Sequence, residues 1–223
     1  MQFVPADRIS LLIFLIINAV VLGCVLYSVR KSKNIKLGIL LWAFAFSLIS
    51  LSGILDKKPF PILPLMMFAM IFGVILFIHS KVGRQLSVSL SVFQLIAFQS
   101  FRFPLELVLH RWSNEGVIPE TMTWTGRNFD IISGLFALIV LPWVSRSKPL
   151  AWTFNIIGLM LLINVCRVAI LSSPLPFSWH TNPPLLLAMH FPYNLILPIC
   201  VSGALAGHII LTHKLSSGLV IIF

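Results

Sequence analysis

Residues 11–27 read LLIFLIINAVVLGCVLY. The stretch contains no charged side chain, and the apolar run extends to Arg30. A helix crosses the hydrocarbon of a bilayer with about 20 residues, so this run has the length of a transmembrane helix. It is longer than the apolar region of a typical signal peptide, and no clear small-residue cleavage site follows. The stretch therefore predicts an uncleaved first transmembrane helix.

The composition extends this interpretation to the whole chain. Hydrophobic residues make up 58%, charged residues 10%, and the mean hydropathy is +1.01. Soluble domains are about half apolar and about one quarter charged, so a water-exposed surface is excluded. The net charge of +10 is interpreted as the Lys and Arg excess of cytoplasmic loops. No basic stripe with interleaved aromatic residues is present, so we expect the lipid bilayer as partner and no nucleic acid.

The cysteines give no sign of a metal or redox centre. Cys24, Cys166 and Cys200 all lie inside apolar runs, without the spacing of metal ligands. They are interpreted as small buried apolar side chains, and neither a metal nor a cofactor is expected.

Seven continuous apolar runs predict an all-α, polytopic transmembrane bundle. Their apolar character does not alternate, which favours helices over the strands of a barrel. The chain is predicted to be a single integral membrane domain, residues 1–223. The predicted helices cover approximately 9–30, 37–55, 62–79, 85–109, 131–145, 151–171 and 186–212.

The distribution of positive charge predicts the orientation. If the N-terminus is outside and the C-terminus inside, more Lys and Arg residues fall in the inner segments than in the outer ones, beginning with Arg30, Lys31 and Lys33. This is the bias of the positive-inside rule. The longest loop, residues 111–130, is then predicted to lie outside.

The fourth run carries polar residues on one side of a helix, at about 100° per residue. Arg102 and Glu106 are four residues apart, so their side chains are expected to meet. The pair either fixes the packing of the bundle or lines a polar pocket that it supports. The polar residues of this run are Ser87, Ser91, Gln94, Gln99, Arg102, Glu106 and His110.

Other helices carry polar groups at the same end. Asn164 and Arg167 share a face of the sixth helix, where Arg167 either extends to the interface or binds an anion. Asp130 lies in the first turn of the fifth helix, where capping alone would explain it. His190 and Asn194 share a face at the start of the seventh helix. Together with Arg127, these residues are predicted to cluster in the outer half, and intramembrane ionisable groups suggest a functional site.

The second half of the chain resembles the exosortase/archaeosortase family of prokaryotic membrane enzymes. Residues 164–171, NVCRVAIL, resemble the helix of that family that carries Asn-x-x-Arg, and a helix opening with a histidine follows, as at His190. Residues 132–138 resemble the start of the preceding helix. The similarity covers roughly residues 126–212.

The resemblance implies a transpeptidase-like or protease-like enzyme of the prokaryotic cytoplasmic membrane, which acts on C-terminal sorting signals of exported proteins. The family uses a Cys nucleophile with an Arg and a His, and Arg167 and His190 match the last two. No Cys lies at residues 126–133, so Asp130 or Ser133 would occupy the vacant place. The expected site therefore has Arg167, His190 and Asp130 as catalytic residues. Substrate-binding residues would be Asn164, Arg102, Glu106, Arg127 and Asn194.

Two other classes of protein fit the same sequence. A small transporter would also line its pathway with paired charges, but transporters often contain repeats and helices broken near the middle of the membrane. No repeat is visible in the sequence. A non-catalytic assembly or anchoring protein would explain the missing Cys.

Overall fold

The computed structural model describes residues 3–217, and this part of the chain consists of helices and their connections. The α-helices in chain order are α1 (Arg8–Ser28), α2 (Lys33–Leu51), α3 (Ile54–Lys57), α4 (Pro59–His79), α5 (Lys81–Ser89), α6 (Val92–Gln99), α7 (Arg102–Asn114), α8 (Ile131–Val144), α9 (Lys148–Ser172) and α10 (Ser202–Ser216). Short 3-10 turns occur at Glu120–Met122, Leu187–Met189 and Tyr193–Ile196, and a π-helical turn at Leu197–Val201 precedes α10.

The all-helical, multi-pass architecture predicted from the sequence is confirmed. Within residues 3–217, six helical segments are long and apolar enough to cross a membrane, and α8 adds a shorter apolar helix. The surface of these helices is apolar: Met160 and Ile163 on α9 are 65% and 66% exposed. Such exposure is unfavourable in water but costs nothing in hydrocarbon, so the protein is a multi-pass membrane protein.

Helices α1, α2, α4, α8 and α9 begin and end within about one turn of the predicted runs. Ser or Asp side chains cap several of them. Asp7 accepts hydrogen bonds from the first turn of α1, and Ser32 and Ser147 do so for α2 and α9. Side-chain acceptors at these positions satisfy backbone N–H groups that have no partner within the helix.

The prediction of one continuous helix over residues 85–109 was wrong. The chain forms α5, α6 and α7 instead. Ser91 and Gln94 make a reciprocal capping box that starts α6, so the helix before it must end at Leu90. A second break follows at Ser100–Phe101. Pro104 has no N–H and is tolerated only in the first turn of a helix, which explains why α7 begins anew at Arg102.

The loop between α7 and α8, which we predicted to lie on the outer side of the membrane, packs into the bundle, and its side of the membrane stays a prediction. Val117, Ile118, Thr123 and Asn128 are all buried, so the loop folds back into the bundle. It leads into α8 at Asp130, which contacts Arg102 near the middle of the segment Val92–Asn114. Helix α8 therefore begins inside the bundle, which explains its short length.

The last predicted helix, over residues 186–212, begins later than expected. The chain passes through 3-10 and π turns up to Val201, and regular α-helix starts at Ser202. Pro192 and Pro198 lack the N–H group that an α-helix requires at its interior positions. Helix α10 then packs at the centre of the bundle, against α4, α5, α6 and α9.

Candidate functional site

A buried ion pair joins Arg102 to Asp130. The Nε of Arg102 donates to Oδ2 of Asp130 at 2.7 Å, and Nη2 donates to Oδ1, which makes the contact bidentate. The side chains are only 2% and 7% exposed. The expected pair of Arg102 with Glu106 is therefore not formed: the partner comes from α8, and the side chain of Asp130 does not cap its own helix.

The network continues from Arg102 toward α9 and α10. Nη1 of Arg102 lies 3.0 Å from Nε2 of His208, and Nδ1 of His208 lies 2.9 Å from Oδ1 of Asn155. Arginine only donates, so Nε2 of His208 accepts and its Nδ1 carries the proton. Asn155 then donates to Thr212 at 2.7 Å. These contacts form a continuous polar chain that joins α7, α9 and α10.

Close packing positions this chain of contacts. A side chain at Gly158 would overlap the ring of His208, and one at Gly134 would overlap the backbone of Phe103. The two glycines thus bring α9 against α10, and α8 against α7. Ser133 donates to Oδ1 of Asp130 at 3.2 Å and thereby orients the carboxylate.

Glu106 belongs to a second branch of the network. Its two carboxylate oxygens each accept from Nδ2 of Asn128 at 3.0 Å. The same Nδ2 lies 3.1 Å from the carbonyl of Met122, while Oδ1 of Asn128 accepts from the backbone N–H of Asp130 at 3.0 Å. Asn128 therefore fixes the buried loop on Glu106 and sets the start of α8.

Asn128, Asn155 and His208 were not among the predicted site residues. His208 lies within an apolar run, and an ionisable residue in such a run is a signal that could have found it. Asn128 lies in a loop whose burial the sequence pattern did not indicate.

A cavity of about 90 Å³ lies beside the ion pair. Its wall is almost entirely apolar and comes from α4, α7, α9 and the segment before α10. The lining also includes the polar residues Arg102, Glu106, Asp130 and Ser173, together with Cys166. Apolar lining residues include Met67, Leu105, Leu162, Val165, Ala169 and Leu197.

Two of the predicted catalytic residues do not line this cavity. Arg167 is exposed on α9 and donates to Oδ1 of Asn164 at 2.9 Å. Asn164 in turn donates to the carbonyl of Arg127 at 2.8 Å. His190 stacks on Phe3 with ring centroids 4.1 Å apart. Asp130 is thus in the cavity wall, while Arg167 and His190 have other surroundings.

Other predicted site residues have structural contacts. Asn194 is buried and donates to the carbonyl of Phe46 at 3.1 Å, which ties α2 to the segment before α10.

Burial lowers the pKa of His190, and the nearby carboxylate of Asp56 opposes that shift. His190 lies just outside the membrane-spanning segment Tyr193–Ser216.

Cys166, one residue before the predicted catalytic Arg167, lies in the cavity wall. It lines the cavity together with Cys200, whose thiol donates to Asn18 at 3.4 Å. Cys166 and Arg167, although adjacent in sequence, face different surroundings, as the helical geometry predicts. Over the described residues, no group of three His, Cys, Asp or Glu side chains could hold a metal ion.

No known protein family, curated protein or solved structure matches the chain.

Proposed function

We propose that this protein is an exosortase-like membrane protein that binds a membrane-inserted C-terminal segment of an exported protein, without thiol catalysis. The observation that carries the proposal is the apolar cavity whose lining includes Arg102, Glu106 and Asp130. The protein would lie in the prokaryotic cytoplasmic membrane, because residues 126–212 resemble the exosortase/archaeosortase family, whose members are located there.

The chemistry of the wall defines the ligand. Leu, Met and Val side chains favour an apolar group, because burying it removes apolar surface from contact with polar surroundings. A volume of about 90 Å³ suits one or two aliphatic side chains, not a whole helix. The ligand would therefore place a few side chains in the cavity while its main body remains in the bilayer.

The polar residues of the cavity lining would orient the ligand. Asp130 is already paired with Arg102, whereas the recorded donor to Glu106 is the single Nδ2 of Asn128. A carboxylate accepts about four hydrogen bonds, so Glu106 retains capacity for a donor. A ligand with an N–H or cationic group next to its apolar side chains would fit.

We do not propose thiol catalysis, because no histidine lines the described part of the cavity beside Cys166. A cysteine nucleophile requires a group that takes its proton, most often a histidine. No histidine lines the described cavity wall. The His208 imidazole instead faces Arg102 and Asn155.

The test measures whether a ligand segment protects Cys166. In full-length protein carrying Cys24→Ser and Cys200→Ser, the rate of N-ethylmaleimide labelling reports access to the cavity. A synthetic apolar C-terminal segment of an exported protein should slow labelling about tenfold at saturation, as for a site occupied nine-tenths of the time. A cavity-filling Ala169→Phe variant should abolish peptide binding.

The matched control carries Cys166→Ser and Met160→Cys, which moves the thiol to the lipid-facing side of the same helix. Its labelling should not respond to the peptide. Equal protection at both positions would mean non-specific coating, and no protection at either would refute the proposal.

One observation favours a second candidate, a proton-coupled carrier. The breaks at residues 100–101, the start of α8 and the turns before α10 put irregular backbone inside the bundle, beside the polar chain of Asp130, Arg102 and His208. Transporters place broken helices at such sites. Solute-dependent proton uptake into proteoliposomes, lost in Asp130→Asn, would support this function over segment binding.

A further inference from the structure

A second polar cluster lies on the outside of the bundle, at the C-terminal end of α9. The guanidinium carbon of Arg127 lies 4.3 Å from the ring centre of Trp179, and that of Arg167 lies 5.9 Å from it. Asn164 links the two arginines, because it accepts from Arg167 and donates to the carbonyl of Arg127. Two exposed cations thus lie close to one aromatic ring.

Within residues 3–217, neither Arg127 nor Arg167 forms an ion pair with a carboxylate. The ion pairs of this region involve Arg102 with Asp130, and Arg111 with Asp7 and Glu115. A guanidinium carries five N–H donors, and the one recorded side-chain hydrogen bond of Arg167 uses one of them. The cluster therefore retains several donors and two positive charges directed at its surroundings.

The position of Arg167 indicates what those surroundings are. Met160, Ile163 and Arg167 are spaced three and four residues apart, so they share one face of α9. The first two are 65% and 66% exposed. This face contacts hydrocarbon in a membrane, and Arg167 lies about 8 Å from the end of the helix at 1.5 Å per residue. An acyl chain along Met160 and Ile163 would thus bring a head group to Arg167.

We propose that Arg127 and Arg167 bind the phosphate of an anionic phospholipid, with Trp179 beside the head group. Guanidinium groups bind phosphate oxygens through paired hydrogen bonds, and tryptophan favours the interface between hydrocarbon and water. The site is separate from the cavity, since neither arginine lines it. The proposal therefore goes beyond the binding of a segment in that cavity.

The experiment uses the full-length protein in detergent, with native mass spectrometry of added lipids. Dioleoylphosphatidylglycerol should bind more tightly than dioleoylphosphatidylcholine. Arg127→Gln and Arg167→Gln should each weaken phosphatidylglycerol binding about fivefold, the factor for one cation near an anionic head group. Arg167→Lys, which keeps the charge but loses the planar fork, should give an intermediate loss.

The matched control is Arg111→Gln, which removes one charge from an exposed arginine that already has carboxylate partners. It should leave the lipid preference unchanged. Circular dichroism and gel filtration would check that each variant is folded. If Arg167→Gln does not fold, the lipid affinity of Arg167→Lys is measured in its place.

Two results would overturn the proposal: equal affinity for the two lipids, or equal loss in Arg111→Gln and Arg167→Gln. Displacement of the lipid by glycerol 1-phosphate at equal concentration would identify a soluble phosphate ligand and overturn the lipid assignment.

Discussion

At the scale of single residues, the ion pair of Arg102 and Asp130 is the strongest local constraint. A buried pair does not itself guarantee stability, because taking two charges out of water costs about as much as their attraction returns. Removing one partner is different, since the remaining charge is left without compensation. The same carboxylate also accepts from Ser133, so its loss affects two contacts.

We predict that Asp130→Asn destabilises the folded protein by about 3–5 kcal/mol, the range for a broken buried pair. Glu106→Gln should cost less, because Glu106 bonds to the neutral Asn128 and forms no ion pair with Arg102. Unfolding by denaturant in mixed micelles measures both. The control Glu115→Gln, at a partly exposed residue whose partner Arg111 is exposed, should change stability by no more than about 1 kcal/mol. An equal effect of Asp130→Asn and Glu115→Gln would contradict the burial of the pair.

The second prediction at this scale concerns pH and His190. Burial lowers the pKa of His190 below the ordinary 6.5. The unfolded chain then binds a proton more readily than the folded protein, so the contribution of His190 is present above pH 6.5 and lost as the pH falls through its lowered pKa. Acidification from pH 7 to pH 5 should therefore lower the thermal midpoint.

His190→Phe should reduce that dependence, because it keeps an aromatic ring against Phe3 and removes the titrating group. The same change at the exposed His79 serves as control. If thermal midpoints of the wild type and His190→Phe fall equally between pH 7 and pH 5, other groups cause the loss.

At the scale of helices, two glycines decide how closely neighbouring elements approach. We predict that Gly134→Ala destabilises the protein by roughly 1–3 kcal/mol, because the added Cβ overlaps the backbone of Phe103 and forces α8 away from α7. Gly23→Ala is the matched control. Gly23 lies in α1 with nothing within 4 Å of the added Cβ, so alanine should be neutral or stabilising by up to about 1 kcal/mol. Thermal unfolding in detergent compares them, and equal midpoints for the two variants would exclude a close contact.

The helices themselves were predictable because lipid requires long apolar runs, and such runs are visible in a single sequence. The site was predictable only in part. Arg102, Glu106 and Asp130 were singled out as polar groups, but the partner of Arg102 depends on a loop that folds back between helices. Its apolar residues, such as Val117 and Ile118, are too few to form a periodic pattern. The partner of Arg102 is therefore determined by long-range packing, which the local spacing of residues in the sequence does not reveal.

At the scale of the whole molecule, the two ends of the bundle differ in charge. Asp7, Asp56, Glu115 and Glu120 lie near the start of α1, the end of α2 and the end of α7, which alternating crossings bring to one end. That end also carries basic residues, whereas the described part of the other end has lysines and arginines but no Asp or Glu. Its basic residues are Arg30, Lys31, Lys33, Lys36, Lys81, Arg84, Arg146, Lys148 and Lys214.

This division leads to the last prediction, the orientation in the membrane. The positive-inside rule assigns the basic end to the cytoplasm, which puts the N-terminus, the cavity and the arginines around Trp179 toward the outside. Lys33 and Asn114 lie at opposite ends of the bundle, and both are exposed. In a background without the three native cysteines, Asn114→Cys should react with an impermeant maleimide on intact cells, whereas Lys33→Cys should react only after permeabilisation. Labelling of Lys33→Cys alone would invert the orientation. The cavity would then open toward the cytoplasmic half, where a segment of an exported protein would reach it only before translocation.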